Sequence, residues 1–250
     1  MNESNAVIEL LMKHRSIRKY TGRPVDRSTL EQIVAAGQMA SSSSHVQAYS
    51  VIAVTDPERK AKLAQLCGGQ AYVQECPVFL VWCADLHRLK DAAVRYMPEL
   101  ESHEGLTENF IIGTVDASLA AQNAAVAAES LGLGIVYIGG IRNRIGEVTG
   151  LLELPELVYP VFGMCLGYPD QEPVSRPRLP VGAVLHTDRY DKEEADRHLE
   201  AYDKTMIQYI SERTGGARDT AWTRLMADKI TGLARPHMRE YLEQQGFKLK

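Results

Sequence analysis

Hydrophobic positions along this chain recur at two periods, helical and strand-like. In residues 5–13 (NAVIELLMK), Val7, Ile8, Leu10 and Leu11 fall on one helical face and predict a short amphipathic helix. Ser28-Thr29-Leu30-Glu31 has the form of a capping box, a hydroxyl followed three positions later by a glutamate. It predicts a helix through Ala40, ended by the run Ser41–Ser44. Tyr49–Thr55 is apolar and β-prone and predicts a strand. Pro57 suits a first helical position, and Gly68-Gly69 stops the helix it opens. Val78–Ala84 (VFLVWCA) is an unbroken apolar run of strand length, the pattern of a buried strand.

Residues 107–131 form the longest predicted helix. Phe110, Ile111, Ile112, Val115, Leu119, Val126 and many alanines surround it almost completely, so it is buried in a core or between subunits. Ile135–Tyr137 and Val158–Leu166 read as further strands, and residues 168–181, rich in proline and arginine, as a loop. From Lys192 the chain is helical again, breaks at Thr214-Gly215-Gly216, and resumes as helices near 221–234 and 236–245. Helices and a few strands follow one another without strict βαβ alternation, which predicts an α+β fold rather than a doubly wound sheet.

Composition narrows the function classes. The chain has 250 residues, 45% hydrophobic and 24% charged, with a formal net charge of −4. That is enough for a sizeable core, and nothing global points to nucleic acid or an anionic membrane. The N-terminus (MNESNAVIEL) lacks a basic region and a long apolar segment, so no signal peptide is expected. No apolar run approaches the ~18–20 residues of a membrane span; the segment around Phe110–Leu133 is broken by Asp116, Gln122, Asn123 and Glu129. Cys67, Cys76, Cys83 and Cys165 form no CxxC pair and sit among apolar residues, which suits reduced, buried thiols in a cytoplasmic protein.

Against that mildly acidic background the stretch HRSIRKY, His14–Tyr20, stands out. Arg15, Arg18, Lys19 and nearby Arg23 surround Ser16, either as a solvated helix end or as a site that holds an anion. Arg176-Pro177-Arg178 offers two guanidiniums on a stiffened backbone, able to fork onto one phosphate or to sit in solvent. Ser41–Ser44 with Gln47 is a hydroxyl-rich loop, and Gln70 after Gly68-Gly69 is an amide for a ligand or a cap. Arg213 and Arg218 bracket Gly215-Gly216, as a second phosphate grip or as an exposed linker. GLGIVYIGG (Gly132–Gly140) fails as a dinucleotide fingerprint. After Gly132 and Gly134 the third glycine belongs at 137, which is Tyr137, and the segment leads from helix to strand. Gly132 and Gly134 therefore read as a cap and turn, while Gly139-Gly140 is either a turn or a close approach to a flat ligand. Scattered histidines without HExxH predict no metal site, and neither GxSxG nor a P-loop occurs. Anion-holding groups without an evident acid, base or nucleophile point to chemistry left to a cofactor.

HRSIR at 14–18, SSSS at 41–44, GGQ at 68–70, AAESLGLG at 127–134, YIGG at 137–140 and RPRLP at 176–180 together resemble the nitroreductase superfamily. The closer likeness is to its oxygen-insensitive NADPH nitroreductase and flavin reductase P branch, over about 240 of the 250 residues. The resemblance implies an intertwined α+β homodimer with a central antiparallel sheet flanked by helices, and FMN bound at the subunit interface. It divides the chain into an FMN-binding core over 1–190, with a smaller excursion near 195–220, and a helical extension over 191–250 wrapping the partner. By the same resemblance His14, Arg15, Ser16, Ile17, Arg18, Ser42, Gln70, Tyr137, Ile138, Gly139, Gly140, Arg176 and Arg178 bind FMN, with Arg176 where relatives often carry lysine. Arg18 is the candidate to stabilise the reduced flavin, and Arg213 and Arg218 resemble the grip on the NADPH 2′-phosphate. The implied reaction is two-electron ping-pong transfer from NADPH, or NADH in its place, through FMN to nitroaromatics, quinones or flavins. A dedicated reductase supplying free reduced FMN and a flavin-binding redox sensor without turnover are the alternatives.

Overall fold

A computed structural model describes residues 5–99, 103, 105–232 and 234–250. The signal-peptide expectation rests partly on residues 1–4, and the helix expected near 221–234 includes residue 233; both lie outside the described residues. By internal contacts the chain separates into Met1–Val174 with His237–Lys250, and Ser175–Pro236. The sequence-based boundary after residue 190 falls inside the second unit. The last helix returns to the first, because Tyr241, Leu242 and Phe247 are buried with Leu157 and Tyr159.

The first unit is built on an antiparallel sheet of β1 (Tyr49–Val54), β2 (Val78–Asp85), β3 (Gly134–Ile138) and β4 (Val158–Gly167), in the order β1-β2-β4-β3. Every residue of β2 is buried, as its apolar run predicts. Its partners run Val54↔Phe79 on one side and Phe79↔Cys165 on the other, with a bulge between Trp82 and Cys83. This is the α+β architecture expected.

Helices cover both faces of the sheet. On one lie α2 (Arg27–Gln38) and α6 (Thr107–Ser130), whose Ala120, Ala121, Ala124, Ala125 and Ala128 pack on Leu80, Trp82 and Ile135. Alanines let α6 come close to its neighbours, and by length and composition α6 could cross a membrane, but here its alanine face is spent on the sheet. On the other face lie α3 (Pro57–Leu66), the single-turn α4 (Ala71–Glu75) and α7 (Ile145–Leu151), against Phe79, Val81, Val136 and Cys165. Two further helices, α1 (Ala6–Met12) and α5 (His87–Tyr96), have no buried residue. The apolar stripe of α1 faces out, with Ile8 60% and Met12 78% exposed, and so do Ile111, Val115 and Leu119 on the outer side of α6.

The capping box is corrected. Asp26 is the N-cap of α2: its carboxylate accepts the Thr29 N–H at 2.8 Å and the Ser28 hydroxyl at 2.6 Å, while Glu31 pairs with Arg27 at 2.7 Å. A carboxylate ahead of Ser28 outcompetes the serine for the free N–H groups. Gly134 is also corrected from turn to strand. It opens β3, and a Cβ there would lie 2.5 Å from Ile17 Cγ1.

The second unit holds a proline-rich stretch, α8 (Lys192–Thr214) and α9 (Trp222–Thr231). Asp203 accepts the Thr223 N–H at 2.9 Å, and Tyr202 meets Trp222 edge to face at 5.9 Å between ring centres, which fixes the helix pair. The last helix of the chain is α10 (Met238–Gln244).

Candidate functional site

HRSIRKY is neither a helix end nor a free loop. Ser16 bridges Ile135 in parallel, and the Ile17 N–H donates to Ile135 O at 2.8 Å. The segment then runs beside the end of β4, where the Asp170 N–H donates to Lys19 O at 2.9 Å and the Thr21 N–H to Tyr168 O at 2.9 Å. Buried Ile17 fills the space left by the missing side chain of Gly134. That close approach presses the cation-rich strip onto the β3 edge, with His14, Arg15 and Ser16 half-buried.

The cations differ in their partners. His14 Nδ1 lies 2.5 Å from Glu129 Oε1 at the end of α6. Arg15 pairs with exposed Glu172 at 3.0 Å, a surface contact worth about 0–1 kcal/mol. Arg18 has no ionic partner among the described residues; its backbone N–H is held by Gln171 Oε1 at 3.0 Å, and its guanidinium carbon sits 5.9 Å from the Tyr72 ring centre. Arg23 lies 3.8 Å over Tyr168.

From Arg18 a chain of contacts runs to the end of β3. The Tyr72 hydroxyl donates to Gln70 Oε1, and Gln70 Nε2 donates to Cys67 O at 2.6 Å. Gln70 thus uses its amide on the protein itself. A Cβ at Gly140 would lie 2.4 Å from both Cys67 O and Gln70 Nε2, so this glycine admits the Gln70 amide. Gly139 has ordinary room, its nearest neighbour being Arg142 at 3.6 Å from a built Cβ. Tyr137 is half-buried, packs edge to face on Phe162 at 5.1 Å and reaches Gln122 at 3.4 Å. Burial and the charge of Glu129 push its hydroxyl well above the ordinary range. Ile138 is buried beneath the turn.

Ser42 is held elsewhere. Its loop leads into β1, the edge strand opposite β3. Asp116 of α6, 1% exposed, anchors that loop by accepting the Ser43 N–H at 3.0 Å and the Ala48 N–H at 3.1 Å. Between these anchors Ser44, His45 and Gln47 all have positive φ, of 45°, 61° and 49°. Non-glycine residues pay for that region, so the loop is held in shape rather than relaxed. The Gln47 N–H donates to Ser42 Oγ at 3.3 Å. Asp116 and Tyr72 were missed by motif reading. A lone carboxylate in an alanine-rich helix was the available signal for Asp116; nothing in the sequence marked Tyr72.

In the second unit Arg176 and Arg178 are both exposed, and neither has an ionic partner among the described residues. Between them Pro177 O accepts the Tyr202 hydroxyl at 2.9 Å, which ties the turn to α8. Arg213 lies in the last turn of α8 before the left-handed cap Gly215, and Thr214 Oγ1 accepts the Arg218 N–H at 3.0 Å. The glycine loop is thereby closed by a hydrogen bond, with both arginines exposed. Among the described residues no group of three or more His, Cys, Asp or Glu could hold a metal ion.

The Nitroreductase family model matches residues 11–168, and the model of the Nitroreductase family C-terminal domain matches residues 176–250. The chain belongs to the nitroreductase family. An FMN reductase [NAD(P)H] of Bacillus subtilis is 44% identical over 248 residues, covering 98% of this chain and 99% of the relative. An oxygen-insensitive NADPH nitroreductase of Salmonella typhimurium is 42% identical over 240 residues, covering 96% and 97%. The solved structure of the NADPH:FMN oxidoreductase from Vibrio harveyi complexed with NAD+ superposes with a TM-score of 0.86 at 42% identity, covering 97% of this chain and 98% of that one. For this family member the likeness therefore extends across both units.

Proposed function

We propose that this chain is an FMN-dependent NADPH oxidoreductase, acting as a homodimer on nitroaromatics, quinones or flavins. The observation that carries the reading is the Arg18–Tyr72–Gln70–Gly140 cluster beside β3, in a chain similar throughout to flavin and nitro reductases. The donor set suits FMN. Arg176 and Arg178, without ionic partners among the described residues, would offer guanidiniums to a phosphate, and Ser16 and Ser42 would supply hydroxyls for the ribityl chain. When bound, FMN supplies the two-electron chemistry that links NADPH to an acceptor. The protein's part is to bind and orient. Arg18, lightly tethered over Tyr72, supplies positive charge where negative charge develops. Tyr137, Ile138, Gly139 and Gly140 would line a flat ring, and Arg213 and Arg218 would hold the 2′-phosphate of NADPH.

Two features favour a second copy. Ser42 and the His14–Arg18 strip flank opposite edge strands, and the exposed apolar residues of α1 and α6 form a surface of the kind a partner covers. The four free, buried thiols favour a cytoplasmic setting.

The test is anaerobic mixing of the purified protein, reconstituted with FMN, with NADPH. Bleaching of the bound flavin within seconds is expected; flavin that stays oxidised over minutes refutes turnover and leaves a sensor. Rates with free FMN against a nitroaromatic then separate a dedicated flavin supplier from a broad reductase.

A further inference from the structure

Arg176 and Arg178 lie on a stretch with little structure of its own. Residues 171–180 form neither helix nor strand, and both arginines are exposed. Pro177 fixes its own φ and keeps Arg176 out of the helical region, so the tripeptide is locally stiff. Local stiffness does not decide where the turn sits. Among the described residues, 175–179 make one hydrogen bond, accepted by Pro177 O from the Tyr202 hydroxyl at 2.9 Å. The carbonyl between the two arginines along the chain is thus the point by which the turn is held.

The residue that holds it is itself fixed. Tyr202 is 5% exposed and lies in the middle of α8. Its ring meets Trp222 of α9 edge to face at 5.9 Å. The next residue, Asp203, accepts the Thr223 N–H at 2.9 Å and the Thr223 hydroxyl at 2.5 Å. Contacts from two successive positions therefore lock the helix pair behind the hydroxyl. A buried phenol needs a partner for its O–H, and a water would satisfy that need equally. What the bond to Pro177 adds is a set position for a basic turn. Two guanidiniums two positions apart repel, and on an unanchored segment they spread. A ligand that gathers them must then order backbone as well as side chains, which lowers affinity. A turn already held at Pro177 leaves only the side chains to order.

We propose that Tyr202 is a positioning residue of the flavin site: through the Pro177 carbonyl it fixes the Arg176–Arg178 turn in the conformation that takes the FMN phosphate. This rests on the reading of the two arginines as the phosphate grip. Tyr202 itself touches no ligand, and its hydroxyl acts as a donor alone, with no proton passed on.

The experiment measures binding of FMN and of riboflavin, which lacks the phosphate, to the full-length protein stripped of flavin. Tyr202→Phe removes the hydroxyl and keeps the ring for Trp222. FMN should bind about 3–10-fold more weakly, the effect of one lost hydrogen bond, while riboflavin stays within about twofold of wild type. With Arg176→Ala and Arg178→Ala both in place, Tyr202→Phe should weaken FMN no further, because it acts through them. Unchanged FMN binding, equal losses for both flavins, or the full loss in the arginine-free background each overturn the proposal. A wild type that holds FMN no better than riboflavin removes the phosphate grip and the proposal with it. A wild-type preference for FMN that survives Tyr202→Phe removes the proposal alone.

Discussion

Asp116→Ala removes the two acceptors that hold the Ser43–Ala48 loop. The Ser43 and Ala48 N–H groups, bonded at 3.0 and 3.1 Å, lose their partners beside a residue 1% exposed. Ala48 is buried, and its N–H left alone costs about 1–3 kcal/mol, whereas exposed Ser43 can turn its N–H to water. Relief of the buried carboxylate offsets part of that. The three positive-φ residues also relax once the anchors go, which recovers stability but loses the loop's shape. A net loss of about 1–3 kcal/mol is expected, together with weaker FMN binding. Asp116→Asn keeps one acceptor and turns an amide N–H toward the other donor, so it should lose about half as much. Urea unfolding gives the stability, and amide exchange at Ser43 and Ala48 reports the anchors directly. If Asp116→Ala unfolds within about 0.5 kcal/mol of the wild type and both amides stay protected, the clamp argument is wrong.

Gly140→Ala places a methyl 2.4 Å from the Cys67 carbonyl and the Gln70 amide; since the carbonyl cannot swing away, about 1–3 kcal/mol of stability should be lost, with poorer flavin retention, read by thermal melting and flavin release. Arg178→Ala should weaken FMN binding most at low salt, with the gap to wild type narrowing as salt screens the phosphate contact; a gap independent of salt would remove that role. Arg213→Ala should lower kcat/KM for NADPH more than for NADH, and equal losses would sink the 2′-phosphate assignment. Asp26 is held at about 2 by hydrogen bonds from Ser28 and Thr29, below its ordinary 3.8. Its contribution to α2 is therefore complete above that ordinary value and lost as pH falls through about 2; Asp26→Asn should keep the cap and erase that acid dependence in a helicity titration.

The strands and long helices were legible because burial leaves a periodic trace: VFLVWCA could only be interior, and proline and glycine marked α3 at both ends. What escaped had other causes. The cap at Asp26 escaped because a hydroxyl and a glutamate at fixed offsets do not decide which acceptor lies best at the helix end. Gly134 read as a turn because spacing cannot show that Ile17, over a hundred residues earlier, needs its space. The ligand segments were legible as motifs, but their partners were not. Gln70 was recognised as an amide, and only the fold shows that Tyr72 and Cys67 engage it. Domain limits were least legible, since the return of α10 to the first unit depends on packing with Tyr159 rather than on any local signal.

The full burial of β2 has a consequence for synthesis. Its pairing with β4 spans Val78↔Leu166 to Asp85↔Val158, so one long edge of a β-prone segment, uncharged up to Ala84, waits for a strand made much later. At about 5–20 residues per second, translation from Asp85 to Gly167 takes roughly 4–16 s. During that interval β1 and α3 cover part of the segment, and Pro77 before it and Asp85 at its end discourage pairing with another chain. Yield on expression should then depend on the pace of elongation between these strands, and slowing that stretch would lose protein that folds normally once complete.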